Sequence, residues 1–205
     1  MWNTSNGEKR VIKQSFFTKM NRTMRIGPHN SDIISLLVGR LLGDRYASKR
    51  SEKETRISFR QSIVHFYYLM YLYNFLRERG YSTSLPPRQY TRKLKGSVYL
   101  GLEFNTLTFI SLDFLRRLFY DANGVKIVSP LLQSYLTPFA LTIWFMDDPT
   151  YVKTSKSIRL ARNSFTLLEV ELLEKMLKEN FDLDFTIQKV SDKKLTLKIS
   201  IIYIY

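Results

Sequence analysis

The chain of 205 residues contains no cysteine, which excludes disulfides, thiolate metal sites and cysteine nucleophiles while leaving the compartment open. Histidine is nearly as scarce, with two in all: His65 falls in an apolar segment and reads as a satisfied core residue, His29 as a loop residue. No apolar run reaches the roughly 20 residues that cross a bilayer. The longest, 63–76, is broken by His65 and Asn74, so a soluble chain without a membrane partner is expected. Neither a phosphate-cradling loop nor a serine triad is present, and Gly96, Gly101 and Gly124 read as turn or bulge residues. Acidic residues are in short supply too: 18 Asp and Glu against 32 Lys and Arg leave a net charge of +14. The basic residues recur through strand-like segments rather than gathering in one tail, which points to nucleic acid.

Two runs organise what is present. The first is Leu37-Val-Gly-Arg-Leu-Leu-Gly-Asp44 and the second Leu141-Thr-Ile-Trp-Phe-Met-Asp-Asp148. Each reads as an apolar helix ending in an acid, and Trp144 reads as core. Residues four apart share a helix face, so Gly39 and Gly43 form a strip along which another helix backbone can approach closely. Glycine weakens a helix by roughly 1 kcal/mol relative to alanine, so two of them argue for a packing purpose. Asp44 and Asp148 at helix C-termini face the negative end of the dipole. If the helices pack side by side and parallel, a divalent cation between the acids relieves that repulsion. Paired carboxylates holding Mg²⁺ are suited to phosphodiester hydrolysis. Asp147 either assists Asp148 or faces another element, because residues one apart do not share a helix face.

The chain around these runs repeats itself. Residues 1–30 are basic and weakly periodic, and are assigned no fold. Asn30, Ser31 or Asp32 can cap the first helix, and Thr137 followed by Pro138 caps the second. After each acid come a hairpin, a helix and a second hairpin. The first such helix, about 63–79, is apolar around most of its circumference and should be deeply packed, with Gly80 stopping it. The second opens on a capping box of Thr166 and Glu169, flanked by Phe165 and Val170, and presents Val170, Leu173 and Leu177. Later strands are expected at 88–95, 97–109, 185–190 and 195–203, with a helix at about 112–120. Helix, hairpin, helix, hairpin, written twice, is an internal duplication of α+β halves.

The strands account for the charge. Arg56, Ser58 and Arg60 point one way while Ile57 and Phe59 point the other, as a sheet with one wet face requires. Arg88, Tyr90 and Arg92 alternate with Gln89, Thr91 and Lys93. Arg159 lies in a similar strand, and Lys198 and Ser200 oppose Leu197 and Ile199. Such a surface suits phosphate contacts and base-edge reading in a major groove.

Both acidic runs resemble the signature helices of the LAGLIDADG homing endonucleases, in the two-motif, single-chain form typically encoded inside organellar group I introns. Laid on the nine-residue signature, 37–45 places Gly39 and Gly43 at the helix-contact positions and Asp44 at the metal-binding acid, and 141–149 places Asp148 at the second acid. The run from Leu136-Thr-Pro138 to Asp148 carries the leader of the motif as well. From about Ser31 onward the resemblance covers most of the chain. It implies two pseudo-symmetric α+β halves packed through the signature helices, with curved antiparallel sheets forming a DNA-binding saddle. The implied organisation is a basic arm at 1–30, a first repeat at 31–130 and a second at 131–205. The implied activity is Mg²⁺-dependent double-strand cleavage of a DNA target by a monomer, in the mitochondrion. Asp44 and Asp148 would be catalytic and metal-binding, and Lys126 would lie near the scissile phosphates. Arg56, Ser58, Arg60, Arg88, Tyr90, Arg92, Arg159 and Lys198 would contact DNA. The sequence departs from the pattern at Pro149, where glycine is usual, and the second repeat reaches Tyr205 in a strand, without the further helices of the pattern. Two alternatives therefore stay open: a maturase binding group I intron RNA without cleaving, and a degenerate, inactive endonuclease.

Overall fold

The computed structural model describes residues 25–26, 29–43, 47–51, 54–147, 149–152, 156–162, 165–191 and 194–200. Most of the basic arm, both acids of the signatures and residues 201–205 lie outside them. Among the described residues no helix is long and apolar enough to cross a membrane. The elements run α1 (Ser31–Leu42), β1 (Ala47–Ser51), β2 (Glu54–Ser62), α2 (Phe66–Glu78), β3 (Arg88–Leu94), β4 (Ser97–Asn105) and α3 (Asp113–Phe119). They continue as α4 (Pro138–Asp147), β5 (Pro149–Val152), β6 (Ser157–Arg162), α5 (Leu167–Phe181), β7 (Phe185–Ser191) and β8 (Lys194–Ser200). Short 3₁₀ turns occupy Ile63–His65 and Pro130–Tyr135.

The fold is α+β, and the duplication is visible in the strand order. One antiparallel sheet runs β1-β2-β4-β3 and the other β5-β6-β8-β7, so each is two hairpins joined through their second strands. The chain divides into two compact units, one containing 59–107 and the other 26–58 and 108–205, with the division falling inside β2.

In the first unit, Phe59 and Phe104 stack with centroids 4.6 Å apart, and Tyr73 of α2 meets Phe104 edge-on at 5.4 Å. The expectation of a deeply packed helix here is corrected. Only Leu69, Leu72, Tyr73 and Leu76 of α2 are buried, while Phe66, Tyr67 and Tyr71 are exposed, Tyr67 at 87%. Aromatic residues satisfy an apolar pattern, yet a tyrosine hydroxyl is at ease in water. His65 is likewise exposed in the 3₁₀ turn rather than in the core. Between β3 and β4, Lys95 and Gly96 both have positive φ, 48° and 82°, the two-residue hairpin turn that matches strand twist.

In the second unit α5 carries the expected capping box, with the Thr166 amide donating to Glu169 at 2.7 Å. Val170, Leu173, Met176 and Leu177 of this helix are buried, and the helix packs on β7 and β8. Trp144 is fully buried. Asn30 sits at the N-cap of α1 without a side-chain cap bond; Asp32 accepts from the Ile33 amide at 2.7 Å instead. Thr137 caps α4, accepting from the Ala140 amide at 3.1 Å.

Helix α1 is buried along nearly its whole length, from Ile33 and then Ser35 through Leu42, and it packs on α4. The contacts climb both helices together. Thr137 donates to Ser35 at 2.8 Å at one end, Gly39 lies against Ala140 and Ile143 in the middle, and Gly43 meets Asp147 at the other end. The helices are therefore parallel and their C-termini coincide. A Cβ on Gly39 would stand 2.8 Å from Cβ of Ile143 and closer still to the Ala140 carbonyl, so backbone meets backbone there. Gly43 is different: it is the extended C-cap of α1, and an added Cβ would find its neighbours at ordinary distances of 3.5 Å and more.

The lower half of this seam encloses an ion pair. Arg40 donates through its guanidinium to Asp147, with side chains 0% and 1% exposed. Breaking a buried pair by removing one partner leaves an uncompensated charge and costs about 3–5 kcal/mol, whereas replacing both by apolar groups is often neutral.

Two outcomes are expected. Gly39→Ala should lower the melting temperature, because overpacking against backbone costs about 1–3 kcal/mol against the roughly 1 kcal/mol that alanine contributes to a helix; Gly43→Ala should leave it nearly unchanged. In urea denaturation, Arg40→Met and Asp147→Ala should each be strongly destabilising and the double variant markedly less so than their sum. An additive double variant would contradict the pairing.

Candidate paired-acid site and nucleic-acid interface

Asp44 and Asp148 follow directly on Gly43 and Asp147. The acids lie outside the described residues, but the frame that holds their neighbours is on view. Arg40 engages Asp147, so this extra acid of the second run is committed to the helix seam. Lys126 donates its ammonium to the carbonyl oxygen of Gly43, placing a cation on the C-terminus of α1 where the dipole favours one. Its ammonium also stands 5.6 Å from the Phe165 ring centroid.

A tight turn presents that lysine. Asp121 accepts from the amides of Asn123 at 2.9 Å and Val125 at 2.7 Å, Gly124 takes φ 78°, and Lys126 bridges back to Tyr120. The Tyr120 hydroxyl in turn accepts from the Ala47 amide at 3.1 Å. Two bridge partners thus contact the chain on either side of 44–46, Lys126 at Gly43 and Tyr120 at Ala47. Among the described residues no group of three or more His, Cys, Asp or Glu is placed to hold a metal ion.

The strands expected to meet DNA fall into two sets. In β2 the alternation is as the sequence requires: Thr55, Ile57, Phe59 and Gln61 are buried, Arg56 and Ser58 are half-buried, and Arg60 is exposed. In the first unit Arg60, Arg88, Tyr90 and Arg92 line a groove of about 490 Å³ together with Gln89, Thr91 and Glu103. Tyr90 lies directly across from Gly101 in the ladder. A Cβ at Gly101 would stand 2.7 Å from the Gln61 carbonyl and nearer to the Tyr90 ring. Gly101 is therefore neither turn nor bulge; it leaves room for the tyrosine to lie flat on the sheet. The end of the β3–β4 hairpin is exposed on both faces, with Leu94, Val98, Tyr99 and Leu100 in solvent.

In the second unit Arg159 and Lys198 are directly opposite one another on β6 and β8, flanked in the same register row by Thr150 and Thr186. Like charges directly opposite are destabilising, and a phosphate laid across them relieves that repulsion.

Three participants were not singled out from sequence. Glu103 has no spacing signature, and its role exists only once β2, β4 and β3 are side by side. Tyr120 carries no motif. Arg40 did leave a signal: an arginine inside an otherwise apolar run needs a buried anion, and the second run has one acid more than the first.

Comparison with known proteins places this arrangement. A chain 35% identical over 90% of the present one is the cytochrome b mRNA maturase bI2 of Saccharomyces cerevisiae, of which the match covers 45%; the present chain thus spans less than half of that relative's length. An intron-encoded endonuclease, ai4, of Dictyostelium discoideum is 37% identical over 58% of this chain and 76% of its own. Among solved structures, the homing endonuclease I-WcaI bound to its DNA recognition sequence superimposes with a TM-score of 0.70 at 27% identity, covering 83% of this chain and 76% of that one. The pattern of the LAGLIDADG DNA endonuclease family matches residues 34–204, which takes in both acidic runs, both sheets and the helix seam, and the chain belongs to that family.

Proposed function

We propose that the chain is a site-specific, metal-dependent DNA endonuclease acting as a monomer, with Asp44 and Asp148 as its catalytic, metal-binding carboxylates. One observation carries this reading: the residues immediately before the two acids, Gly43 and Asp147, lie against each other at the same end of a parallel helix seam. Each acid is the next residue in the chain, and successive Cα atoms are about 3.8 Å apart, which supports the reading. Two carboxylates offer hard oxygen donors, which suit Mg²⁺. When bound there, the cation polarises a phosphodiester and lowers the pKa of an attacking water.

The chain's own residues supply the rest. Arg40 neutralises Asp147, so a third negative charge does not disturb the acid pair. Lys126, held one carbonyl away from Asp44, is the cation that faces charge developing on a phosphate. Arg56, Ser58, Arg60, Arg88, Tyr90 and Arg92 from the first sheet, with Arg159 and Lys198 from the second, bind the duplex through phosphates and base edges. On this reading residues 31–130 and 131–205 are the two repeats, 1–30 is a basic arm, and the compartment is the mitochondrion.

A second reading has its own support in the maturase similarity: the chain holds folded group I intron RNA through its basic surfaces and cuts nothing. The two separate in one assay. Duplex DNA spanning the intron insertion point of the uninterrupted host gene is incubated with the protein in Mg²⁺ and then in Ca²⁺. The endonuclease reading expects defined double-strand cuts in Mg²⁺ alone, reduced on the order of 10³-fold or more by Asp44→Asn or Asp148→Asn, since a metal ligand supports several kcal/mol of transition-state stabilisation. Cutting that survives either substitution contradicts the assignment. Absence of cutting, together with splicing of the host intron RNA that tolerates both substitutions, would establish the maturase.

A further inference from the structure

The groove in the first unit contains an acid that the DNA-binding reading does not explain. Glu103 lies on β4 between Arg60 of β2 and Arg88 of β3, opposite Arg88 in the ladder, and is only 4% exposed. Nε of Arg60 donates to one of its carboxylate oxygens and Nε of Arg88 to the other. Both arginine side chains remain largely in solvent, at 56% and 75% exposure. The Arg60 guanidinium also lies over the Tyr90 ring, 5.5 Å from its centroid, and Tyr90 is seated on Gly101. Each guanidinium is therefore held from behind, with other N–H donors of its fork facing outward.

Phosphate binding alone does not call for this acid. A surface that only neutralises phosphates gains from every free cation, and Glu103 subtracts a charge from the middle of the groove. What a buried carboxylate adds is direction. An arginine fork can also meet a phosphate, but that contact carries no sequence information; a bidentate contact with a guanine edge, where the planar fork must meet O6 and N7 together, does.

We infer that Glu103 is a specificity-determining positioning residue: it fixes Arg60 and Arg88 so that they read adjacent base pairs in the major groove of a DNA duplex. This rests on the DNA-binding reading above. Glu103 does not itself touch the bases; it acts through the two arginines.

The test is selection from a duplex library with a randomised centre, using the full chain, Glu103→Gln and Arg88→Lys, with melting curves for each and salt titrations on a duplex of unrelated sequence. The wild type should enrich a defined sequence. Glu103→Gln should lose discrimination on the order of 10-fold per base pair within one short contiguous block, keep the rest of the sequence, and bind the unrelated duplex more tightly because a negative charge has gone. Arg88→Lys, at a mostly exposed position that does not threaten folding, should lose preference inside the same block with an unchanged salt slope. The inference is overturned if Glu103→Gln enriches the same sequence with the same discrimination, if it loses affinity evenly at all positions along with a lowered melting temperature, or if Arg88→Lys leaves the block intact. A wild type that enriches no sequence defeats the DNA-binding reading and the inference with it; an enriched sequence unaffected by the variants defeats the inference alone.

Discussion

Everything at the candidate site depends on how closely α1 and α4 approach. At Gly39 the backbones touch, and a single methyl group there would meet the Ala140 carbonyl. That contact sets the separation of the helices, and their parallel sense sets which ends meet. The contacts rise in step from Ser35 with Thr137 to Gly43 with Asp147, so the residues immediately before the two acids meet at one end of the seam. Two helices of opposite sense, built from the same residues, would send Gly43 and Asp147 to opposite ends of the seam.

Electrostatics follows a consistent logic in this strongly basic chain. Two buried carboxylates among the described residues hold arginines. Asp147 takes Arg40 inside the helix seam, and Glu103 takes Arg60 and Arg88 on the first sheet. The first pair is buried on both sides, so it contributes little net stability over apolar packing while removing one member is costly; in the second only the carboxylate is buried and the guanidinium groups stay largely in solvent. On the second sheet Arg159 and Lys198 are directly opposite one another, a pairing of like charges.

Much of this was legible in the sequence because it rests on local periodicity. Strand alternation through Arg56 to Arg60, the Thr166 and Glu169 capping box and the packing of the two apolar runs as helices all survive translation into structure. What escaped depends on non-local placement or on residue types that read two ways. The helix α2 was expected to be deeply packed because phenylalanine and tyrosine complete its apolar pattern, yet only one face of it is buried. Gly101 read as a turn or bulge because nothing local reveals a tyrosine lying over it from the neighbouring strand. The 3₁₀ turn at Pro130–Tyr135 left no signal in the sequence, since six residues are too few to show a period.

The central claim is that one end of the helix seam gathers both acids around shared divalent metal. Substituting Fe²⁺ for Mg²⁺ in the DNA-bound protein and generating hydroxyl radicals at the metal with ascorbate and peroxide cuts the polypeptide beside its ligands. Paired cuts next to Asp44 and next to Asp148, suppressed by excess Mg²⁺, are the predicted result. Cutting confined to one run, or to neither, would contradict the account.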